Sequence, residues 1–307
     1  MKVGIIGSGS MGSLYGGVLA EDGHEVWFID VFKEHVDAVK TNGLIVNKDG
    51  SKRIIQNIRA TTQAEEAGVV DLAIIFVKST ITDIAVEQNL AVFGPDTIVL
   101  TLQNGIGNIE KISQFVSEKQ IIAGTSANGA NFVQPGEINH AGWGGTTIGE
   151  LDGSHSERIE KIASMLGTGE LGPINISDNV MGLIWDKLLV NVGINPLTAL
   201  MRLRNGQLLE QDETLHLMEQ VVEEGVKVAE AKNIKLGFDD SVAHCKSVAD
   251  ATGANISSML ADALNGRKTE IDNINGAIVR EGHALGIPTP VNEVITHLVK
   301  GMEHSKL

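Results

Sequence analysis

The start of the chain places regularly spaced glycines directly after a short apolar run. Residues 2–6 (KVGII) are typical of a buried strand, Gly7, Gly9 and Gly12 follow in the pattern GxGxxG, and a helical run continues through Ala20. In such a turn the first glycine permits a tight bend, the second leaves room for a phosphate beside the backbone, and the third lets the helix pack on the strand. This order of elements predicts the first βαβ unit of a doubly wound parallel sheet.

A second apolar strand follows at the spacing that this fold requires. Residues 24–29 form it, and Asp30 closes it where an acidic side chain can accept hydrogen bonds from a ribose 2′-hydroxyl. The N-terminus of the first helix then faces the pyrophosphate of a bound dinucleotide. The candidate cofactor-binding residues of the turn are Gly7, Ser8, Gly9, Ser10, Met11 and Gly12.

Length, composition and charge exclude several classes of protein. A chain of 307 residues with 42% hydrophobic and 21% charged residues is typical of a soluble globular protein of one large or two ordinary domains. The formal net charge of −15 argues against a nucleic-acid partner. A single cysteine, Cys245, excludes an internal disulfide and suits a reducing cytosol. Without a signal-peptide pattern or a membrane-spanning apolar run, we expect a cytoplasmic protein with no membrane partner.

The order of strand and helix signals predicts two domains in an α/β fold. Strands and helices alternate up to about residue 176, and strand signals vanish from about residue 179 onward. We therefore expect a Rossmann-type doubly wound sheet over 1–176 and an all-helical domain over 177–307. Short, glycine-rich strand signals at 121–149 predict antiparallel additions to the far edge of the sheet.

Two polar residues follow predicted central strands, and ligands of doubly wound sheets bind beyond such carboxyl ends. Lys78 follows the apolar run 69–77 and can approach a nucleotide phosphate or the adenine end. Asn104 follows the strand at 97–102, where a nicotinamide would reach. A solvated lysine and an Asn-Gly turn explain the same residues equally well.

One predicted helix of the second domain carries a polar stripe on an otherwise apolar surface. In WDKLLVNVGINPLTAL, which begins at residue 185, Lys187, Asn191 and Asn195 recur at every fourth position and share one face. A buried polar group without a partner costs about 1–3 kcal/mol, so the stripe needs a polar ligand or a hydrogen-bond network between helices. Pro196 predicts that this helix kinks or stops beside Asn195.

Two later segments supply polar groups that can face the stripe. Ser257 and Ser258 lie at a predicted helix start, where serine ordinarily acts as a cap. Glu270 lies at the start of a further predicted helix, where the helix dipole favours an acid. Glu270 is also the natural counter-charge for Lys187 if the two helices face each other.

Six motifs spread along the chain form a recognisable set. They are the GxGxxG turn, QNG at 103–105, the K-xxx-N-xxx-N-P stripe, NISSMLAD at 255–262, TEIDNINGAI at 269–278 and GIPTP at 286–290. The set resembles the ketopantoate reductase family over nearly the whole chain. This resemblance implies a Rossmann domain joined to a helical domain, an active site between them, and reduction of 2-dehydropantoate to (R)-pantoate with NADPH.

The resemblance also implies a role for each candidate residue. Lys187 would be the general acid that protonates the developing alkoxide, and a lysine with an ordinary pKa of about 10.4 is protonated at neutral pH. The other residues with an implied role are Asn191, Asn195, Ser258 and Glu270 in the substrate site, and Asn104 beside the nicotinamide. The histidines show no metal-ligand spacing, and this chemistry requires no metal.

The end of the second strand departs from the pattern of an NADPH enzyme. Such enzymes commonly place an arginine there, whereas this chain has Asp30, whose carboxylate would repel a 2′-phosphate and suits NAD(H). Lys33 and Lys78 can still supply positive charge. NADP(H), the default of the family, and NAD(H) therefore both stay open.

The substrate and the assembly state stay open as well. A small 2-keto acid is expected, and an NAD-dependent D-2-hydroxyacid dehydrogenase of the D-mandelate type, from the same family, is the alternative to ketopantoate reduction. A non-catalytic dinucleotide-binding sensor is a more remote alternative, since a sensor would need none of the stripe residues. The last helices offer surface for a homodimer without specifying one.

Overall fold

The structure, a computed structural model, describes residues 1–167 and 169–304. Its internal contacts divide the chain into two compact units. The first unit contains Met1–Gln103 and Asn108–Val180, and the second contains Asn104–Gly107 and the chain from Met181 onward. This division lies a few residues after the predicted boundary at 176, and the sequence pattern gave no indication that Asn104–Gly107 belongs with the helices.

The first unit holds all the strands that the structure describes. They are β1 (Lys2–Ile6), β2 (Glu25–Ile29), β3 (Leu44–Lys48), β4 (Ser51–Ile55), β5 (Ile58–Thr61), β6 (Leu72–Ile75), β7 (Ile98–Thr101), β8 (Ile121–Ser126), β9 (Gly129–Gln134), β10 (Glu137–Gly142), β11 (Thr146–Glu150) and β12 (Ile174–Ile176). Its helices are α1 (Ser10–Glu21), α2 (Lys33–Asn42), α3 (Ala64–Ala67), α4 (Thr82–Gln88), α5 (Asn108–Ile112) and α6 (Glu157–Leu166).

The main sheet has eight strands in the order β12-β11-β8-β7-β6-β1-β2-β5. The pairs from β5 through β8 are all parallel, and β1 lies between β2 and β6. The strand order therefore reverses at β1, and the glycine turn that follows β1 lies at the switch point where doubly wound sheets bind ligands. The predicted doubly wound sheet is confirmed.

Four strands form a second, smaller sheet in the order β4-β3-β10-β9. The prediction that the strands of 121–149 add antiparallel to the far edge of the main sheet is right for β11, which pairs with β8, and wrong for β9 and β10. Ile138 of β10 pairs with Val46 of β3, and both side chains are buried. The reason is the apolar face of the β3–β4 hairpin, which must be covered and packs on α1, where Gly17 lies against Leu44 and Ile55.

The second unit is built from helices in the part of the chain that the structure describes. They are α7 (Val180–Met201), which starts at the last residue of the first unit, α8 (Asp212–Ala231), α9 (Ser241–Ala251), α10 (Ser258–Leu264), α11 (Asn275–Leu285) and α12 (Pro290–His304). Trp185 and Leu188 of α7 are almost completely buried in the core of this unit. The predicted all-helical domain is confirmed for these residues.

Helix α7, which carries the polar stripe, continues through Pro196 to its end at Met201. Of the two predicted outcomes at the proline, a stop is therefore wrong, and a kink beside Asn195 stays a prediction. Proline has no N–H, so the carbonyl of Val192 loses its helical partner. Asn275 replaces that partner, because its Nδ2 donates to the Val192 oxygen at 3.2 Å and to Oδ1 of Asn292 at 2.9 Å.

The replacement belongs to a buried network that joins three helices to α7. Asn275 and Asn292 are both 0% exposed, and Nδ2 of Asn292 donates to the Val221 carbonyl at 3.0 Å and to Glu224 Oε2 at 2.8 Å. The Glu224 carboxylate also accepts the backbone N–H groups of Val291 and Asn292, each at 2.9 Å, at the start of α12. Helices α8, α11 and α12 therefore share one set of polar contacts, which reaches α7 at the Val192 carbonyl.

We expect Asn275→Ala to lower the free energy of unfolding by about 1–3 kcal/mol, because the Val192 carbonyl and Asn292 Oδ1 lose a buried donor. Denaturant titration measures this loss. In a Pro196→Ala background the restored amide can serve the Val192 carbonyl within the helix, so the same substitution should cost less. Equal losses in the two backgrounds would contradict the compensation.

The described residues contain neither a membrane-crossing helix nor a cluster of metal ligands. No helix within 1–167 or 169–304 is both long enough and apolar enough to span a bilayer. Over the same residues, no group of three or more His, Cys, Asp and Glu side chains could hold a metal ion.

Candidate functional site

The glycines of the turn after β1 meet different surroundings. Gly7 has φ +88°, and a Cβ there would lie 2.7 Å from Cγ1 and 2.8 Å from the backbone N of Val77. A Cβ at Gly12 would collide with the Gly7 carbonyl oxygen. A Cβ at Gly9 would meet no atom within 4 Å. The fold itself requires glycine at the first and third positions, whereas Gly9 borders open space.

This open space lies at the N-terminus of α1, where Gly9 is the N-cap and Ser10 and Met11 begin the helix. The first turn of α1 contains no acidic side chain, so its N–H groups and the positive end of the helix dipole are not offset by a carboxylate within that turn. A bare backbone beside a helix N-terminus is the arrangement that binds pyrophosphate in doubly wound sheets. The residues of the turn therefore fit a dinucleotide.

The Asp30 carboxylate at the end of β2 is fixed by hydrogen bonds. Its Oδ2 accepts the Ser8 N–H at 2.6 Å and the Ser8 hydroxyl at 3.2 Å, and its Oδ1 accepts the Phe32 N–H at 2.9 Å. Asp30 remains partly exposed. The carboxylate is thus hydrogen-bonded to the glycine turn and remains accessible to a ligand there.

His35 of α2 supports the same turn from within the protein and was not singled out by the sequence. The residue is 1% exposed, and its Nδ1 accepts the Gly136 N–H at 3.0 Å. Nε2 then carries the ring proton and lies 3.3 Å from Oγ of Ser13, which donates to the Ser8 carbonyl at 2.6 Å. Burial lowers the His35 pKa, against the opposing effect of the Asp30 carboxylate, so the neutral ring is favoured.

Lys78 and Gln103, the residue before Asn104, follow strands β6 and β7 and have different surroundings. Lys78 is exposed and precedes a short 3-10 helix, Ser79–Ile81. Gln103, the first residue of the QNG motif, has a structural role, since its Nε2 donates to the Val77 carbonyl at 2.7 Å and to the Thr82 hydroxyl at 2.8 Å. Lys78 belongs to the first unit together with the glycine turn and Asp30.

Asn104 belongs to the second unit, because the segment that it begins is attached to Asn273. Gly105 has φ +78°, and a Cβ there would collide with the Asn273 carbonyl oxygen. That oxygen accepts the Ile106 N–H at 3.4 Å, and Asn273 Nδ2 lies 3.5 Å from the Ile106 carbonyl. The Asn-Gly turn therefore holds Asn104 in the unit that contains Lys187.

The stripe on α7 extends from a partly exposed end to a buried one. Lys187 and Asn191 are partly exposed, and Asn195 is buried. One turn further, Thr198 Oγ1 donates to Ser257 Oγ at 2.7 Å. The stripe therefore runs toward the start of α10.

Lys187 and Glu270 act on each other electrostatically within the second unit. Burial lowers the pKa of Lys187 to about 8, although the residue as a whole keeps some exposure, and the Glu270 carboxylate opposes this shift. Glu270 is buried and lies before the 3-10 helix Ile271–Asn273, while the α-helix predicted there begins only at Asn275. The expected counter-charge is therefore present, although it lies on a turn and not on a helix.

The two serines of the NISSMLAD motif differ in role. Ser257 is the N-cap of α10, and its Oγ accepts the Leu260 N–H at 3.0 Å, so the capping interpretation applies to this residue. Ser258 is the first residue of α10 and is exposed. Thr198, which binds the capping serine, was missed by the sequence analysis, although a threonine inside an otherwise apolar helix is a recognisable signal.

Two family models match most of the chain. The model described as ketopantoate reductase PanE/ApbA matches residues 3–153, and the model of its C-terminal part matches residues 179–303. The 2-dehydropantoate 2-reductase of Halobacterium salinarum is 36% identical over 301 residues and covers 98% of both chains. The enzyme of the same name from Pyrococcus horikoshii is 35% identical over 303 residues, which cover 99% of this chain and 98% of the relative.

Solved structures agree over the same length. A ternary complex of D-mandelate dehydrogenase with NADH and anilino(oxo)acetate has a TM-score of 0.92 at 33% identity and covers 99% of this chain and 98% of that one. A ketopantoate reductase from Ralstonia eutropha JMP134 has a TM-score of 0.90 at 33% identity, with the same coverage. Both halves of the chain thus match one family, and the chain belongs to the ketopantoate reductase family.

Proposed function

We propose that this protein is a 2-dehydropantoate 2-reductase, an NAD(P)-dependent oxidoreductase that acts on a CH-OH group and forms (R)-pantoate for pantothenate and coenzyme A biosynthesis. The observation that carries the proposal is the desolvated Lys187, whose pKa of about 8 lies close to neutral pH while Glu270 favours its charged form. A general acid is most effective when its pKa is near the working pH. Relatives of this name at 36% and 35% identity support the choice of substrate.

In the proposed mechanism, the first unit holds most of the dinucleotide and the second unit supplies the proton donor. The glycine turn and Asp30 of the first unit would hold the dinucleotide, which when bound supplies a hydride to the carbonyl carbon of the substrate. Lys187 would donate its proton to the carbonyl oxygen as negative charge develops there. Asn104 would orient the nicotinamide and Glu270 the ammonium group.

The amide and hydroxyl groups of the second unit would bind the substrate. Asn191, Asn195 and Ser258 carry groups that can donate hydrogen bonds to a carboxylate or a hydroxyl. A keto acid with an additional hydroxyl, such as 2-dehydropantoate, offers acceptors for such donors. Binding through neutral donors would leave Lys187 available for the carbonyl oxygen.

We expect the rate of ketone reduction to be constant well below pH 8, to have fallen to about half of its maximum near pH 8, and to fall further above it. The reason is that Lys187, with a pKa of about 8, must carry its proton to act as the acid. Oxidation of the hydroxy acid needs the unprotonated amine, so its rate should rise through the same pH range. The pH profiles of kcat in both directions measure this, and parallel profiles would exclude Lys187 as the titrating group.

For the cofactor, we propose that NADH is used in preference to NADPH. The anchored Asp30 carboxylate would repel a 2′-phosphate, and Lys33, one of the two cations that could offset this charge, is paired with Asp37 at 2.5 Å. Asp30→Asn should raise the kcat/KM for NADPH relative to NADH by about tenfold, equivalent to about 1.4 kcal/mol. An unaltered protein that already prefers NADPH, with no change in Asp30→Asn, would show that the carboxylate lies away from the ribose.

A two-by-two assay tests the substrate together with the cofactor. Ketopantoate and phenylglyoxylate are each supplied with NADPH and with NADH, and we expect ketopantoate to be reduced with the higher kcat/KM. The likeness to an NADH-bound D-mandelate dehydrogenase favours phenylglyoxylate as the second candidate, and a higher kcat/KM for phenylglyoxylate would select that activity. Tight dinucleotide binding without turnover of any branched 2-keto acid would instead indicate a sensor.

A further inference from the structure

The segment that carries Glu270 is held by the last turn of α12. The backbone N–H of Thr269 donates to Oε1 of Glu303 at 2.7 Å, and the Thr269 hydroxyl donates to the same oxygen at 2.5 Å. Thr269 is 1% exposed. Thr269 directly precedes Glu270, and both of its hydrogen-bond donors are therefore bound by one carboxylate oxygen of a helix that is distant in the sequence.

A second contact with α12 holds the chain that follows Glu270, but this contact is weaker. Lys300 of α12 pairs with the Asp272 carboxylate at 2.5 Å, with side chains 43% and 34% exposed. Exposed ion pairs contribute little to stability, whereas hydrogen bonds from a buried residue to a carboxylate are among the stronger ones. Of the two contacts that α12 makes with this segment, the one from Glu303 is therefore the stronger.

Glu270 also has a defined place in the turn that follows it. The 3-10 helix Ile271–Asn273 has Glu270 as its N-cap residue, and no side-chain capping bond is formed there. Thr269 Oγ1 also accepts the Ile271 N–H at 3.3 Å, so the threonine links Glu303 to the turn on both sides of Glu270. A substitution at Glu303 should therefore change the position of the Glu270 carboxylate.

Glu270 is also the charged group that acts on Lys187. The neighbouring acid on α7, Asp186, accepts the Gly237 N–H with its Oδ2 at 2.9 Å, and its Oδ1 is buried without a hydrogen-bond partner among the described residues. Farther along the chain, Asp272 is paired with Lys300. The direction in which Glu270 points therefore contributes to the electrostatic environment of the Lys187 ammonium group, beside burial, which is the larger cause of its lowered pKa.

We propose that Glu303 is a positioning residue that fixes Thr269 and thereby holds the Glu270 carboxylate toward Lys187. This inference rests on the proposed function, in which Lys187 donates the proton. Without the contact, Glu270 turns away and Lys187 loses the charge that favours its ammonium form. The Lys187 pKa then falls, and with it the upper pH limit of ketone reduction.

The test compares three variants of the full-length protein. Glu303→Ala removes the acceptor, while Glu303→Gln removes the charge and keeps an amide oxygen that can accept both Thr269 donors. Glu293→Ala is the matched control, because Glu293 lies exposed on the same helix. The pKa of Lys187 is read from the carbon-13 shift of its Cε, assigned by the absence of that signal in Lys187→Met, and the pH profile of kcat is recorded in parallel.

We expect Glu303→Ala to lower the Lys187 pKa by up to about one unit, the smaller end of the effect of a nearby opposite charge. The basic limb of the kcat profile should move by the same amount, and Glu303→Gln and Glu293→Ala should leave both unchanged. An unchanged Lys187 pKa in Glu303→Ala, or an equal shift in Glu303→Gln, would overturn the inference. If Glu303→Ala does not fold, Thr269→Val, which removes only the hydroxyl donor, should give a smaller shift in the same direction, and no shift would overturn it.

The positioning role of Glu303 and the catalytic role of Lys187 can be contradicted independently of each other. The carbon-13 titration requires no turnover, so it reports on the Glu303 contact even if Lys187 is not the acid. A full shift of the Lys187 pKa in Glu303→Ala, together with an unchanged kcat profile, would support the contact and remove Lys187 from the mechanism.

Discussion

Replacing Lys187 with alanine is expected to lower kcat for ketone reduction by about 10²–10⁴-fold, the usual contribution of a general acid. Alanine offers no proton, and it leaves the buried Glu270 carboxylate without the charge that it faces. Dinucleotide affinity should stay nearly unchanged, because the glycine turn and Asp30, which are proposed to hold the dinucleotide, lie in the first unit and Asn104 is not replaced. Steady-state kinetics and a fluorescence titration with NADH measure the two quantities.

Lys227→Ala is the matched control for this substitution. Lys227 is exposed on α8 of the same unit and should tolerate the change with kcat and stability nearly intact. Lys187→Arg should not restore activity, since a guanidinium keeps its proton at neutral pH and is bulkier than an ammonium group. A Lys187→Ala protein with near-normal turnover and intact cofactor binding would remove Lys187 from the mechanism.

The second large effect is expected at the glycine turn, where two alanine substitutions should differ in kind. Gly12→Ala places a methyl group against the Gly7 carbonyl, so the turn must shift, at a cost of about 1–3 kcal/mol of stability, and dinucleotide binding should be lost. Gly9→Ala meets no protein atom within 4 Å and should leave the stability of the fold nearly unchanged. Its methyl group would occupy the space proposed for the pyrophosphate, so it should weaken dinucleotide binding by at least about tenfold, or about 1.4 kcal/mol.

Thermal unfolding and dinucleotide titration of both variants separate these effects. The informative result is Gly9→Ala, because its loss of affinity should come without a loss of stability. Unchanged dinucleotide affinity in Gly9→Ala would place the pyrophosphate elsewhere. Gly12→Ala serves as the comparison in which both quantities fall together.

The main sheet could be predicted because its signals are local. The glycine turn and the strand that precedes Asp30 lie close together in the sequence, and each requires a particular backbone conformation. The second sheet could not be predicted in this way. The short, glycine-rich strand signals at 121–149 indicate strands there. The choice between the main sheet and the distant β3 edge depends on apolar surface that only the folded hairpin creates.

The candidate site shows the same division between local and distant information. Helical periodicity places Lys187, Asn191 and Asn195 on one face of α7, and the roles assigned to them remain predictions from the family resemblance. The sequence could not show that α7 would continue through Pro196, because the compensating donor, Asn275, comes from another helix. Glu303 was missed for the same reason, since nothing in its own neighbourhood distinguishes it from a surface acid.

The attachment of Asn104–Gly107 to Asn273 means that the second unit is composed of two separate stretches of chain. Ile106, 8% exposed, is part of the hydrophobic core of this unit. A fragment that begins at Met181 would therefore lack a core side chain and leave the Asn273 carbonyl without its donor. Chimeras that exchange the second unit between members of this family should transplant these four residues together with the helices.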